Sequence, residues 1–552
     1  MAKELKRIKI DKIGYGWVGL ARMSDGKRIL IKWGALPGSV VDLRIIKQKK
    51  DFVEAHITHV QSLDPKIVDG KIFCPHFFSW MQSAECRMQK NESHSEFWIL
   101  NSELPKVGCG GCKWQMLSYG NQLKLKEDIV NDAFTKIKKK LPELQVLSII
   151  GSPEEKGYRN KIEFSFGKYI TKGPGTRNEE LGTNTSPKSQ VPSPNIILSN
   201  RSVGFHKQGE FSKIVDIDNC GLISDEANVL FQRIKDLCKN SWLPAFDQMT
   251  HKGFFRHLII RQGTNTDQFL VNLSIASDQL TEANREQRNQ LLDLFTSDTL
   301  LKEKITTFVI THNNGLSDTA RNNDSKTETF RWEWYIYEKL IFGNSAETAV
   351  HTDSKNNKNN KESLTEISFR VSPSSFFQTN TLWAQQLFGQ AMNMVGNVEG
   401  MILDLYCGTW SIGISFLKCG KWDKLVGIEI VEEAITDARH NAKINGLEDK
   451  VTFLANPAEK AFTQHPEIVN KINNLGLVII DPPRDGLHKN VVQMICDLKK
   501  ESDFKLLYIS CNPVTMVRDI ELLVAWGFGI KEIQPVDMFP QTHHIECIWV
   551  LT

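Results

Sequence analysis

Cys511 sits in Leu507-Tyr508-Ile509-Ser510-Cys511-Asn512-Pro513, an apolar run that breaks at an Asn-Pro turn and leads into a helical pattern beginning near Val514. A thiol placed there gains from the positive end of the helix, which favours the thiolate and nucleophilic attack. One strand-helix-strand interval upstream, Asp481-Pro482-Pro483-Arg484 ends another apolar run. Downstream, Phe539-Pro540-Gln541-Thr542-His543-His544-Ile545-Glu546 adds a second carboxylate and two imidazoles. A thiol with Glu546 as proton acceptor suits covalent catalysis. The glycine-bearing turn Asp404-Leu405-Tyr406-Cys407-Gly408 suits a cofactor seat at the carboxyl end of a strand. Cys496 and Cys547 lack such surroundings and read as buried structural thiols.

The elements that must position these groups are legible as a rhythm. From Phe369 onward, apolar runs at 401–406, 424–430, 451–454, 475–480, 505–510 and 546–551 alternate with helical periodicity, best seen over 434–443. Such βαβ alternation predicts an α/β region built on a mostly parallel, doubly wound sheet. Residues 8–60 instead alternate apolar and polar, with turns at Gly14, Gly16, Asp25-Gly26 and Pro37-Gly38, and predict a small β-barrel. With 552 residues the chain exceeds one core. The expected division is 1–61, an α+β central part over 62–365, and 366–552.

A formal charge of +3 does not announce a nucleic-acid partner, but the stretch from Lys3 to Lys50 is rich in Lys and Arg. No apolar run approaches the roughly eighteen residues that cross a bilayer. The expectation is a soluble, cytoplasmic, monomeric protein with no membrane contact. Eleven cysteines are too sparse for a secreted disulfide scaffold. Polar tracts at 171–195, 313–327 and 344–362, and a long insertion at 79–107, read as poorly ordered loops with no assigned role.

In order and wording, the four segments around Asp404, Asp481, Cys511 and Glu546 resemble the S-adenosylmethionine-dependent RNA uridine-5-methyltransferases. The resemblance implies a C-terminal Rossmann-like methyltransferase domain. It makes Cys511 the nucleophile that adds to C6 of a uridine and Glu546 the base that removes the C5 proton, with His544 an orienting group. Arg484 is open between a base or phosphate contact and a structural ion pair. For the cofactor, the resemblance carries over Gln378 (from Phe376-Phe377-Gln378-Thr379-Asn380), Tyr406 and Asp481. Glu429, ending an apolar strand, suits the ribose diol, and Asn456 the adenine. The chain departs from the family where a second glycine is usual: Trp410 stands there, followed by Ser411, and its indole either crowds the pocket or swings away.

Residues 13–19 (Ile-Gly-Tyr-Gly-Trp-Val-Gly), 29–32 and 35–38 look like an RNA-binding TRAM domain, an OB-like barrel, with Tyr15 and Trp17 suited to base stacking. Cys74-Pro75-His76, Cys109-Gly110-Gly111-Cys112 and the later Cys220 resemble the four-cysteine [4Fe-4S] site of the ribosomal-RNA branch. A Cys-Gly-Gly-Cys pair alone suits zinc, a redox pair or a cluster equally, and Cys86 is a spare first ligand. The expected activity is formation of 5-methyluridine in large-subunit ribosomal RNA. The alternatives are a transfer RNA substrate, or an RNA-binding module whose pocket Trp410 has disabled.

Overall fold

The computed structural model describes residues 4–552 apart from 33, 70–71, 78–108, 173–195, 208–209, 242, 279–280, 323, 344–363, 467–471 and 473. The insertions expected at 79–107 and 344–362, Cys86, and nearly all of 171–195 lie outside the described residues.

Strands β1 (Glu4–Lys9), β2 (Lys12–Gly14), β3 (Val18–Arg22), β4 (Arg28–Lys32), β5 (Val40–Gln48) and β6 (Phe52–Ser62) form one sheet in the order β1-β5-β6-β4-β3-β2. Alternation drives it: Ile29 and Ile31 of β4 are fully buried while Arg28 and Lys32 face out. Trp17 corrects an expectation. Its indole is buried and its Nε1–H donates to the Ala35 carbonyl at 3.1 Å, so the ring fills the core instead of offering a stacking face. Helix Tyr119–Lys138 docks against this sheet, where Lys12 pairs with Asp132 at 2.6 Å. The two-residue strand β7 (Gln145–Val146) follows.

The central sheet joins β8 (Lys161–Lys172), β9 (Ile196–Lys207), β10 (Glu210–Asp216), β11 (Phe255–Gly263), β12 (Gln268–Ile275), β13 (Ile305–His312) and β14 (Lys326–Trp332), in the order β10-β9-β8-β11-β12-β13-β14. Helices Asp225–Asn240 and Glu282–Ser297 pack against each other, N-capped by Ser224 and Thr281. The segment 313–327 is not the loose loop that its polarity suggested. Asn313 is buried and its amide donates to the Thr319 carbonyl at 2.6 Å. The Arg256 guanidinium caps the Gly315 and Ser317 carbonyls, and Asp318 reaches His206 at 2.8 Å. Arg256 and His206 are remote in sequence from the segment they hold.

A hairpin of β15 (Ile336–Phe342) and β16 (Thr365–Val371) leads into helix Thr381–Val395 and the last sheet. This contains β17 (Gly400–Leu405), β18 (Trp422–Glu429), β19 (Val451–Ala455), β20 (Leu475–Ile480), β21 (Lys505–Ser510), β22 (Ile530–Val536) and β23 (Glu546–Leu551). The order is β19-β18-β17-β20-β21-β23-β22-β7, parallel from β19 to β21 and antiparallel at β23. Every residue of β17 and β20 is buried, as continuous apolar strands covered on both faces must be. The order reverses between β17 and β20, which makes their carboxyl ends the ligand crevice. Among the described residues, no helix is long and apolar enough to cross a membrane.

Candidate active site

At the end of β17 the chain turns sharply through Tyr406 (φ 65°), Gly408 (φ 55°) and Trp410 (φ 74°) before helix Ser411–Cys419 begins. Three left-handed residues in five aim the turn's backbone at the crevice. The Glu429 carboxylate accepts from the Gly408 N–H at 3.0 Å and from the Val431 N–H at 3.0 Å. Asn456 donates its backbone N–H to the Glu429 carbonyl at 2.8 Å, and its buried Oδ1 has no partner. Asp404 Oδ2 is likewise buried and unpartnered. Burial, with Asp481 and Glu429 facing it, drives the Asp404 carboxyl well above the usual range.

Trp410 does not crowd this seat. It adopts the left-handed conformation that explains the usual glycine, and its indole is fully buried, edge-on to Phe453 at 4.7 Å. Room comes from Gly413, where a Cβ would lie 2.0 Å from the Trp410 Nε1. Ser411 opens the helix and is half-buried. Gln378 is buried, and its segment is fastened on three sides. Asn160 donates to the Gln378 carbonyl at 2.8 Å, Thr409 to the Phe376 carbonyl at 2.7 Å, and Asn380 to the Met538 carbonyl at 3.2 Å.

Asp481, at the end of β20, faces both Asp404 and the thiol of Cys511. Burial lifts Asp481 to about 7. Cys511 follows β21, where Asn512 caps helix Pro513–Ala525 by accepting from the Val514 N–H at 3.0 Å. The helix end was expected to favour thiolate, but burial prevails. With Glu546 and Asp481 also facing it, the thiol rises to about 11, although the nearby Arg484 charge pulls the other way. Burial and Asp481 likewise hold Glu546 well above the carboxylate range, against Arg484. Arg484 Nη2 lies 3.4 Å from His544 Nδ1. Burial, with His543 and Arg484 beside it, drops His544 to about 2, so the imidazole is neutral.

The loop that leads to Glu546 is pinned by residues from far upstream. Gln541, held at φ 66°, exchanges amide hydrogen bonds with buried Gln122 at 2.8 and 2.9 Å, and its carbonyl accepts from the Lys113 and Trp114 N–H groups at 3.0 and 3.1 Å. Lys126 and Asp537 pair at 2.6 Å with both side chains fully buried. Sequence reasoning missed these braces, whose partners stand several hundred residues apart.

The Lys113-Trp114 segment also adjoins Cys112. Cys74, Cys109, Cys112 and Cys220 are all buried, and Cys112 faces the other three thiols. Burial drives all four up, Cys109 to about 12 and Cys220 to about 11. The backbone around these thiols folds tightly: the Phe77 N–H donates to the Cys74 carbonyl at 3.0 Å, the Cys109 N–H to the His76 carbonyl at 2.8 Å and the Ile223 N–H to the Cys220 carbonyl at 3.3 Å. The His76 ring accepts the Asp218 N–H at 3.0 Å and joins the first and last segments. Among the described residues, no three His, Cys, Asp or Glu side chains converge as ligands of a single metal ion. The thiols are neighbours without meeting at one point.

Comparison with known proteins fits this geometry. The family described as tRNA (Uracil-5-)-methyltransferase matches residues 242–552. An uncharacterized RNA methyltransferase of Caldanaerobacter subterraneus subsp. tengcongensis is 29% identical, over 100% of this chain and 99% of its own. Another, from Bacteroides thetaiotaomicron, is 30% identical over 94% and 95%. Among solved structures, the Pyrococcus abyssi tRNA (uracil-54, C5)-methyltransferase in complex with S-adenosyl-L-homocysteine shares the fold, with a TM-score of 0.61 and 21% identity over 99% of this chain and 100% of that one. With a family match over more than half its length and such relatives along nearly all of it, the chain belongs to the tRNA (uracil-5-)-methyltransferase family of RNA-methylating enzymes.

Proposed function

We propose that the enzyme converts a uridine of folded RNA to 5-methyluridine through a covalent adduct with Cys511. The observation that carries this reading is the meeting of Cys511, Glu546, Asp481 and Arg484 beside the Asp404–Gly408 turn. Uracil C5 is a poor nucleophile until a thiolate adds to C6. The new S–C6 bond pushes the ring electrons towards the C4 oxygen, and C5 becomes an enolate carbon. S-adenosylmethionine supplies the methyl group that C5 takes up. Glu546 then removes the C5 proton, the ring electrons return, and the S–C6 bond breaks to release Cys511. Arg484 favours the ionised forms of both Cys511 and Glu546, which burial otherwise keeps protonated.

The seat fits the donor. Two buried acceptors without partners, Asn456 Oδ1 and Asp404 Oδ2, stand where an adenine amino group and an ammonium group would satisfy them. Glu429 retains lone pairs for the ribose diol, and Gln378, Tyr406, Ser411 and Asp481 are the remaining residues we assign to the donor. The target base must leave its stack to meet the thiol, which favours loops.

For Cys74, Cys109, Cys112 and Cys220 we infer a [4Fe-4S] cluster. A buried all-sulfur donor set of four neighbouring cysteines is what such a cluster needs. With the N-terminal sheet read as a TRAM domain, the quartet favours large-subunit ribosomal RNA as substrate. The Pyrococcus abyssi structure, whose own substrate is a transfer RNA, supports the second reading. Mapping 5-methyluridine in both RNAs from cells with and without the gene decides between them. Loss from neither sinks the enzymatic reading.

A further inference from the structure

The chemistry above leaves one contact at the nucleophile unused. Tyr15, in the turn between β2 and β3, donates its hydroxyl to the Cys511 backbone carbonyl at 3.0 Å. Its ring is half-buried, and its phenol faces the Cys511 thiol, Arg484 and Glu546. Local structure leaves that carbonyl to an outside donor. Pro513 has no N–H, and the Asn512 side chain takes the Val514 and Thr515 N–H groups at 3.0 and 3.4 Å. The opposite side of the turn is held by Asn512 Nδ2 and Thr515 Oγ1 on the Arg484 carbonyl at 2.9 and 3.1 Å. Tyr15 is itself anchored, because Trp17 is locked in the core of its sheet and Lys12 pairs with Asp132.

We propose that Tyr15 is a positioning residue for the nucleophile. Its hydrogen bond to the Cys511 carbonyl sets the direction in which the thiol meets C6, so the N-terminal sheet takes part in bond formation. This rests on the reading of Cys511 as nucleophile. A thiol displaced by a fraction of an ångström loses the alignment that makes attack fast.

Tyr15→Phe keeps the ring and deletes the donor. In single turnovers of the full-length protein with saturating RNA and S-adenosylmethionine, methyl transfer should slow about tenfold, the rate equivalent of one hydrogen bond. The Kd for RNA should stay within about twofold, since removing one neutral hydroxyl leaves every Lys and Arg available to phosphate in place. An unchanged rate overturns the proposal. So does a deficit that excess RNA repairs, which would make Tyr15 an RNA contact, or a parallel loss of S-adenosylmethionine binding, which would make it a general structural residue. A second readout needs no RNA: iodoacetamide labelling of Cys511, followed by mass spectrometry at fixed pH. Asp481, Glu546 and Arg484 still face the thiol in the variant, so freeing the turn should speed labelling several-fold, and equal labelling overturns the proposal. If Cys511→Ala retains methyl transfer, the nucleophile reading fails, and labelling still reports whether Tyr15 controls this turn.

Discussion

Cys511 is half-buried, with two carboxyl groups and one guanidinium around it and the buried Cys547 thiol nearby. Cys74, Cys109, Cys112 and Cys220 face one another in a fully buried pocket, where Arg159 is the nearby cation. The same side chain thus occupies opposite company. At Cys511 burial makes the thiol costly to ionise, and Arg484 pulls the other way. In the quartet, four neighbouring thiolates would outnumber the single Arg159 guanidinium and repel strongly at low dielectric. The first company suits the proposed covalent chemistry, and the second the cluster proposed for the quartet.

The largest test of that contrast is Cys511→Ala, which should abolish methyl transfer while leaving the Kd for RNA within several-fold of wild type. Turnover above a few per cent would remove the nucleophile. Next, Glu546→Gln should stall the reaction after methylation. A protein–RNA adduct that survives denaturing gels should accumulate, dependent on S-adenosylmethionine and absent from the Cys511→Ala, Glu546→Gln double variant. Normal turnover by Glu546→Gln would move the base elsewhere, His544 first.

On the quartet side, protein purified without oxygen should be brown and carry about four irons per chain, with Cys112→Ser or Cys220→Ser losing them. Stoichiometric zinc without iron would overturn the cluster. The smallest effect concerns Arg484. Labelling of Cys511 in the RNA-free protein should keep rising with pH well past the roughly 8.5 of a free cysteine and level off only near the raised value of about 11. Arg484→Gln removes the group that pulls this value down, so the plateau moves higher and labelling at pH 8 slows. A faster reaction would contradict the assigned sign.

The C-terminal sheet was legible because buried strands and amphipathic helices alternate in plain order, and the Asn512-Pro513 cap announces the helix after Cys511. Other features depended on partners that no local window contains. Trp410 looked like a threat to the cofactor seat, but its indole is buried edge-on to Phe453, more than forty residues away. Residues 313–327 looked loose because Arg256 and His206, which hold them, lie elsewhere. Tyr15 and Trp17 looked equivalent, but only the fold decides that one ring is sealed in a core and the other reaches Cys511. Two residues, Gln145 and Val146, are too few to read as a strand at all.

That short strand has a bearing on biosynthesis. β7 closes the outer edge of the catalytic sheet by pairing with β22, and the Gln534 side chain donates to the Ser148 carbonyl across 386 positions. The ribosome therefore delivers one side of this seam long before the other. Contacts of such span form late, because the intervening chain must first be ordered. Until then the β22 edge carries unpaired backbone groups able to recruit a strand from a neighbouring chain. Until β22 has been made and has met β7, this edge is accordingly a point at which a nascent protein can aggregate.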